Sequence, residues 1–258
     1  DSNKGSVSVY EFNSTNWYKL GNDLKGTEEG DLYGNSVSLS ADGAILAIGA
    51  PGHDKNKGTT MVYGNPIKKS VGVKKVYSLV SPVQPKKSVG VKKVYWSQLG
   101  ADLDGISAND KQGWSIALSS NGMTLAVGAH GHENNKGTIR VYSILEEEAE
   151  SGTYRKGTVT IVEQTNVWTQ IGNDIDGENS SSQRSSSTSS SNGFEGGSGD
   201  KQGYTVSISS DGMRLAVGAV GHNNNSGSIR AFNLVNNSPD PTDQSVNAKE
   251  QTAVEITL

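Results

Sequence analysis

The stretch Asp31-Leu-Tyr-Gly34-Asn-Ser-Val-Ser-Leu-Ser-Ala-Asp42-Gly43-Ala-Ile-Leu-Ala-Ile-Gly49-Ala50-Pro51 occurs three times in related form. The second copy runs from Asp110 through Gly113, Asn121 and Gly122 to Gly128-Ala129-His130. The third runs from Asp200 through Gly203, Asp211 and Gly212 to Gly218-Ala219-Val220. The two marker glycines are separated by 15 residues in each copy. A fixed internal period makes the repeat the primary signal of architecture.

Each copy carries two flanking elements. A Trp-x-x-Leu/Ile-Gly stretch precedes it: Trp17 to Gly21, Trp96 to Gly100 and Trp168 to Gly172. An Asn-x-Gly stretch ending on an aromatic residue follows it: Asn56 to Tyr63, Asn135 to Tyr142 and Asn225 to Phe232. A leading copy of that last element, Asn3 to Tyr10, opens the chain. Val37 and Leu39 alternate with serines, and Leu46 and Ile48 with Ala47 and Gly49, which is strand periodicity. Asp42-Gly43, Asn121-Gly122 and Asp211-Gly212 suit the positive φ of tight hairpin turns, so the runs on either side of each pair antiparallel. The expected unit is a four-stranded meander in the order Trp strand, Ser-Val strand, Leu-Ala strand, Val-Tyr strand. No helix is expected. A sheet with small residues on one face and aliphatic residues on the other buries both only by stacking on its neighbours.

The fold class is therefore all-β: a partial β-propeller of four-stranded antiparallel units, about three complete, plus one leading strand. The propeller segment is expected over 1–235, with inserts at 64–95, 143–167 and 178–199. Residues 236–243, carrying Pro239 and Pro241, form a linker. Residues 244–258 resemble the first strands of a cadherin-like or Ig-like sandwich module. The first insert duplicates Lys68 to Tyr77 as Lys86 to Tyr95. Its lysines suit an acidic glycan or a membrane surface, or simply a solvated hairpin.

Composition is consistent with this picture. Of 258 residues 32 are glycine and 33% are hydrophobic, which fits many short strands and turns and not a thick helical core. The formal net charge of −4 argues against a nucleic-acid partner. No apolar run is long enough to span a bilayer as a helix. Cysteine is absent, which removes disulfides and Cys-ligated zinc. The chain opens on Asp1 and is read as an interior piece of a longer protein.

The marker residues resemble FG-GAP repeats, the units of the propeller at the head of integrin α subunits. Tyr33-Gly34 with Gly49-Ala50-Pro51 is the nearest copy of the two halves of that motif, and Gln112-Gly113 and Gln202-Gly203 depart from it. The resemblance covers residues 1 to about 232 outside the inserts. It implies a non-catalytic, extracellular or cell-surface adhesion module. Its partners would be a protein or glycan ligand and other modules of the same polypeptide, whose parent could be membrane-anchored. A propeller-channel hydrolase or lyase, and a structural spacer without ligand, are the alternatives. Integrin-type repeats also carry an Asp-rich Ca²⁺ loop between their two halves. Here that connection is a tight turn with at most one carboxylate, too few for six to eight oxygen ligands. No cofactor is firmly implied.

Candidate site residues follow from the repeats. Asp102 and Asp104, and Asp174 and Asp176, form Asp-x-Asp-Gly stretches that could be half of a Ca²⁺ loop but are read first as ordinary turns, since Asp and Gly are common turn formers. In the first unit the second acid is replaced by Lys25. His53, His132 and His222 recur in Gly-His loops ending at Asn56, Asn135 and Asn225, which are read as a polar ligand-binding rim. Equivalent histidines on different units lie too far apart to share one ion. Asp31, Asp110 and Asp200 precede the marker glycine and could complete such a Ca²⁺ site, though capping a turn explains them as well. Asn13, Asn179, Asn224 and Asn236 fit the N-glycosylation pattern. No Gly-x-Ser-x-Gly elbow or phosphate-binding glycine loop occurs.

Overall fold

The computed structural model describes residues 2–65, 96–145, 167–178, 199–234 and 248–250. The lysine duplication, the linker, Asn179 and Asn236 lie outside these residues. The chain opens with β1 (Ser6–Val7), β2 (Tyr10–Phe12), β3 (Trp17–Lys19) and β4 (Leu24–Lys25), paired as β1–β4 and β2–β3. The first full sheet contains β5 (Ser36–Leu39), β6 (Ile45–Ala50), β7 (Thr59–Gly64), β8 (Ser97–Gln98) and β9 (Leu103–Asp104). The second contains β10 (Ser115–Leu118), β11 (Thr124–Ala129), β12 (Thr138–Leu145), β13 (Val167–Gln170) and β14 (Ile175–Asp176). The third contains β15 (Gln202–Ile208), β16 (Arg214–Ala219), β17 (Ser228–Leu234) and β18 (Ala248–Glu250). All strand pairs are antiparallel, so the all-β class holds. Among the described residues no sheet closes on itself.

The hairpin turns form where Asp-Gly and Asn-Gly stand. In each, a serine and the turn Asp or Asn clamp the backbone: the Asp42 carboxylate accepts from Ala44 N (2.9 Å), and Ser40 Oγ accepts from Ile45 N (2.9 Å). Ser119 with Asn121, and Ser209 with Asp211, repeat the device. The tips then bond from one unit to the next, Ala41 N to Ser120 O (2.9 Å) and Ser120 N to Ser210 O (3.0 Å).

The order of strands within a sheet differs from the expected meander. The Trp strand does not lead its own unit; it pairs with the Val-Tyr strand before it, as β8 with β7 and β13 with β12. The Asp-x-Asp segment continues along the same edge, β9 on β7 and β14 on β12, and only then does the chain cross to the next sheet. The long inserts between Val-Tyr and Trp strands conceal this pairing in the sequence. They are also shorter than expected, since β7 runs through Gly64, Asn65 still bonds Ala44 O (2.8 Å), and β12 runs to Leu145. In the third sheet β18 takes the fourth place beside β17. The rest of the segment expected to open a sandwich module lies outside the described residues. Three four-residue helical turns, His53–Asn56, His132–Asn135 and His222–Asn225, interrupt the strands where no helix was expected.

Successive sheets stack, and both faces of a sheet are thereby buried. One face of β6 sends Ile45 and Ala47, with Val62 of β7, against Ile116, Leu118, Leu125 and Val127 of the second sheet. Ala126, Ile139 and Val141 meet Leu215, Val217, Phe232 and Leu234 of the third in the same way. The approach is set by the marker glycines. A Cβ on Gly49 would lie 2.0 Å from Gly113 O, and one on Gly128 would lie 2.2 Å from Gly203 O. The second marker of each unit thus abuts the first marker of the next.

Among the described residues the two ends of the stack are only partly covered; at the first, Val7, Val9 and Leu24 pack on buried Leu46 and Ile48 but leave the neighbouring strand open. Val37 and Leu39 are 53% and 47% exposed, whereas their counterparts Ile116 and Leu118 are 9% and 8% exposed. At the other end Ile229 is 60% exposed and its counterpart Ile139 is fully buried. Trp17 is likewise exposed where Trp168 is buried.

Gly49→Ala should therefore drive two backbones apart, costing about 3 kcal/mol or more. Gly218→Ala, whose Cβ meets only the Thr205 side chain and its backbone further off, should cost about 1 kcal/mol. Denaturant unfolding of the two variants measures the difference.

Candidate functional site

The loops joining the Leu-Ala and Val-Tyr strands, and the segments before each first marker glycine, gather along one edge of the stack. They hold the recurrent His, Asn and Asp residues. Gly131 lets its loop settle on the neighbouring segment, since a Cβ there would lie 2.0 Å from Asn109 O. The loop then turns through three successive left-handed residues, Glu133, Asn134 and Asn135, with φ of 45°, 57° and 68°. Asp54, Lys55 and Asn56 do the same at 43°, 58° and 61°. Such backbone costs an ordinary residue about 1–2 kcal/mol and is cheapest for Asn and Asp. Asn56, Asn135 and Asn225, expected as ligand-rim residues, therefore have a structural reason to recur. Their carbonyls add another: Asn56 O and Asn135 O accept from Lys111 N and Lys201 N, each at 2.8 Å, tying one unit to the next.

Each loop histidine stands against the recurrent aspartate of its own repeat, hydrogen-bonded for His53 and His222 and in close approach only for His132. The Nδ1–carboxylate distances are 3.0 Å for His53–Asp31, 3.1 Å for His132–Asp110 and 3.2 Å for His222–Asp200. The same aspartates cap the turn before the marker glycine. Asp31 accepts from Thr27 N and Glu28 N (3.1 and 2.9 Å), Asp110 from Ile106 N and Ser107 N (both 3.0 Å), and Asp200 from Glu178 N (2.9 Å). Capping is thus observed, and the histidine fastens the loop onto the cap. Burial disfavours the charge on His53, but the hydrogen bond and charge of Asp31 outweigh it and raise its pKa above the ordinary 6.5. Burial also opposes ionisation of Asp31, and the Glu28 N–H and His53 more than compensate, holding it below 3.8.

The four Asp-x-Asp-Gly aspartates each take a partner from within the chain. Asp102 accepts from Gln98 Nε2 (2.5 Å), and Asp104 faces Lys57 at 3.8 Å. Asp174 takes both Arg140 Nε (2.9 Å) and Gln170 Nε2 (2.7 Å), while Asp176 faces Lys136 at 3.3 Å. Asp174 and Asp176 approach His132 closely enough for the three to bracket one ion. Glu28, Asp31 and His53 form a second such group, and Glu178, Asp200 and His222 a third. In two of the three groups a cation already sits on the carboxylates: Arg140 and Lys136 in one, Arg230 on Glu178 and Asp200 in the other. These acids are neutralised from within the chain, which fits their reading as edge and turn residues. Asn13 lies in the β2–β3 turn and accepts from Thr15 N and Asn16 N (3.2 and 2.9 Å). Asn224 lies in the third rim loop.

Two further groups were not anticipated from sequence. Arg140, 2% exposed, donates to Gln112 Oε1 (2.6 Å) as well as to Asp174, and Gln112 donates to Tyr142 Oη (3.0 Å). Arg230 and Gln202 repeat the contact at 2.8 Å. In the first unit Tyr33 and Tyr63 bond at 3.0 Å instead, and Met61 stands where the arginines do. The joint change of Gln with Arg between units was the available signal.

The second group surrounds His130. Its imidazole is 5% exposed, and neither ring nitrogen has a hydrogen-bond partner among the described residues. Trp114 lies edge-on at 4.4 Å between centroids, Tyr204 at 5.3 Å, and the two rings are 5.6 Å apart. Burial first, then the charges of Lys111 and Lys201, push its pKa down to about 4, so it is neutral. Trp114 and Tyr204 both directly follow a first marker glycine, where the first unit has Asn35.

The signs of the two histidine shifts oppose each other. The raised pKa of His53 gives stability that is full below 6.5 and lost as pH rises through the raised value; Asp31 adds stability that is present above 3.8 and lost as pH falls. The depressed pKa of His130 removes stability as pH falls from 6.5 towards about 4. Comparing wild type with His53→Asn isolates the clip: the variant's deficit in unfolding free energy should be largest near pH 5–6 and shrink towards pH 8. Asp174→Ala, which strands a buried guanidinium, should cost about 3 kcal/mol in the same measurement. No family model matches the chain, and no curated protein matches it either.

Proposed function

We propose that the chain is a non-catalytic, extracellular ligand-binding module, a segment of a β-propeller assembled from FG-GAP-type repeats. The observation that carries this reading is the rim. In each unit a capping aspartate and a histidine hold the loop to its own repeat, and in the first two units the strained loop backbone also bonds the next unit. These contacts make a continuous, rigid polar edge from separate repeats, which is how scaffolded loops serve recognition. The uncovered faces at Val37 and Leu39, and at Ile229, suit further units of the same kind, as a longer ring or stack requires.

The non-catalytic part of the proposal rests on how the titratable groups are used. Asp31, Asp110 and Asp200 are committed to backbone N–H groups and to one histidine each. The His–Asp pairs belong to separate units, one to each. An adhesion role, with the ligand a glycan or a protein, uses this edge as it stands.

A panel of defined oligosaccharides and matrix proteins, immobilised and probed with the folded chain, tests the reading. Saturable binding without chemical change of the bound ligand is expected. Gly131→Val, which disrupts the rim, should abolish it, and Asp211→Ala at the hairpin tip should leave it intact. Turnover of a bound ligand would point to a propeller-fold hydrolase or lyase. Equal binding by wild type and Gly131→Val would place the ligand away from the rim and overturn the reading, and no binding by wild type would leave only the spacer role.

A further inference from the structure

Trp114, Tyr204, His130, Lys111 and Lys201 come from two adjacent units and meet at the junction of the second and third. Trp114 and Tyr204 are partly exposed, tilted 48° to each other, and spread around the buried imidazole of His130. Lys111 Nζ stands 5.7 Å from the Trp114 ring centroid, and Lys201 lies close enough to act on the same imidazole. Among the described residues neither lysine has a carboxylate partner. This sets them apart from Lys136, which is paired with Glu133 and Asp176 on the same edge.

Three unmet requirements coincide here. Two aromatic rings are partly exposed. Among the described residues two ammonium groups lack counter-charges. Among the described residues a buried imidazole has a donor and an acceptor nitrogen with no partner, which is unfavourable unless a ligand meets them. A ligand meeting all three has an apolar face to lie on a ring, hydroxyl groups to bond a neutral imidazole, and negative charge. We infer that the Trp114–Tyr204–His130 cleft, flanked by Lys111 and Lys201, is a binding site for an acidic saccharide bearing a carboxylate or sulfate. The inference deepens the ligand-binding reading above and rests on it. In this arrangement the sugar ring stacks on Trp114 or Tyr204, the lysines pair with its anionic group, and a hydroxyl entering between the rings meets the imidazole. The cleft exists only where two units adjoin, so it is a property of the stack. The junction of the first and second units has Asn35 and Pro51 at the equivalent positions and lacks it.

Isothermal titration of the full chain tests this with four probes: a uronic-acid oligosaccharide, a sulfated oligosaccharide, a neutral oligosaccharide of the same linkage, and inorganic sulfate. At least one acidic oligosaccharide should bind, more tightly than the neutral one and than sulfate, and should weaken with added salt. Lys111→Asn/Lys201→Asn should bind it roughly tenfold more weakly or worse. Asn tolerates the left-handed backbone at these positions, where φ is 58° and 53°. Trp114→Ala should abolish the heat, and Asp211→Ala, at a hairpin tip away from the rim, should leave it unchanged. Circular dichroism and melting confirm that each variant is folded. Equal affinity for acidic and neutral oligosaccharides, or undiminished binding by the lysine variant, overturns the inference. So does silence towards all four probes; if the immobilised panel still shows rim-dependent binding, the ligand-binding reading stands without it.

Discussion

Everything in this structure depends on two backbones meeting at a pair of glycines. Where Gly49 faces Gly113 and Gly128 faces Gly203, even one methyl group would lie about 2 Å from a carbonyl oxygen. That approach brings small residues on one face of a sheet against large aliphatic residues on the face of the next. Without it the aliphatic faces would remain open, as Val37, Leu39 and Ile229 are at the two ends. Hydrophobic stabilisation is roughly proportional to the apolar area removed from water, so sheet spacing controls how much of it the chain collects.

Close sheet contact also fixes the polar edge. The Gly-His loop of one unit leans on the segment before the marker glycine of the next, through bonds such as Asn56 O with Lys111 N. On its other side the loop is held to the carboxylate-capped segment of its own repeat, as His53 is to Asp31. Left-handed residues are tolerated there because hydrogen bonds on both sides hold them, which is the usual condition for backbone strain to persist. The edge is accordingly a consequence of stacking, and so is the aromatic cleft between Trp114 and Tyr204.

The repeats differ in how they satisfy the same buried position. Tyr33 bonds Tyr63 in the first unit, while Gln112 and Gln202 receive Arg140 and Arg230 in the others. A buried arginine requires a partner, and Asp174 supplies it from the Asp-x-Asp-Gly segment. That segment therefore has a structural duty in the second unit that a metal-loop reading of its residue types does not reveal.

The sequence alone determined the repeat, the strands and the antiparallel hairpins. Each of these is set by residues close in the chain: a fixed period, an alternation of two, an Asp-Gly turn. Tertiary structure decided which sheet each Trp strand joins, since long inserts separate β7 from β8 and β12 from β13. It also decided that His53 meets Asp31 and that Asp102 and Asp104 take different partners. Only tertiary structure could bring Trp114, His130 and Tyr204 together, because the contact lies between units and no local pattern encodes which side chains face across that gap. The physical reason is the same in each case: covalent neighbours are fixed by the chain, whereas partners across a sheet stack are chosen by packing and by the spacing the marker glycines allow.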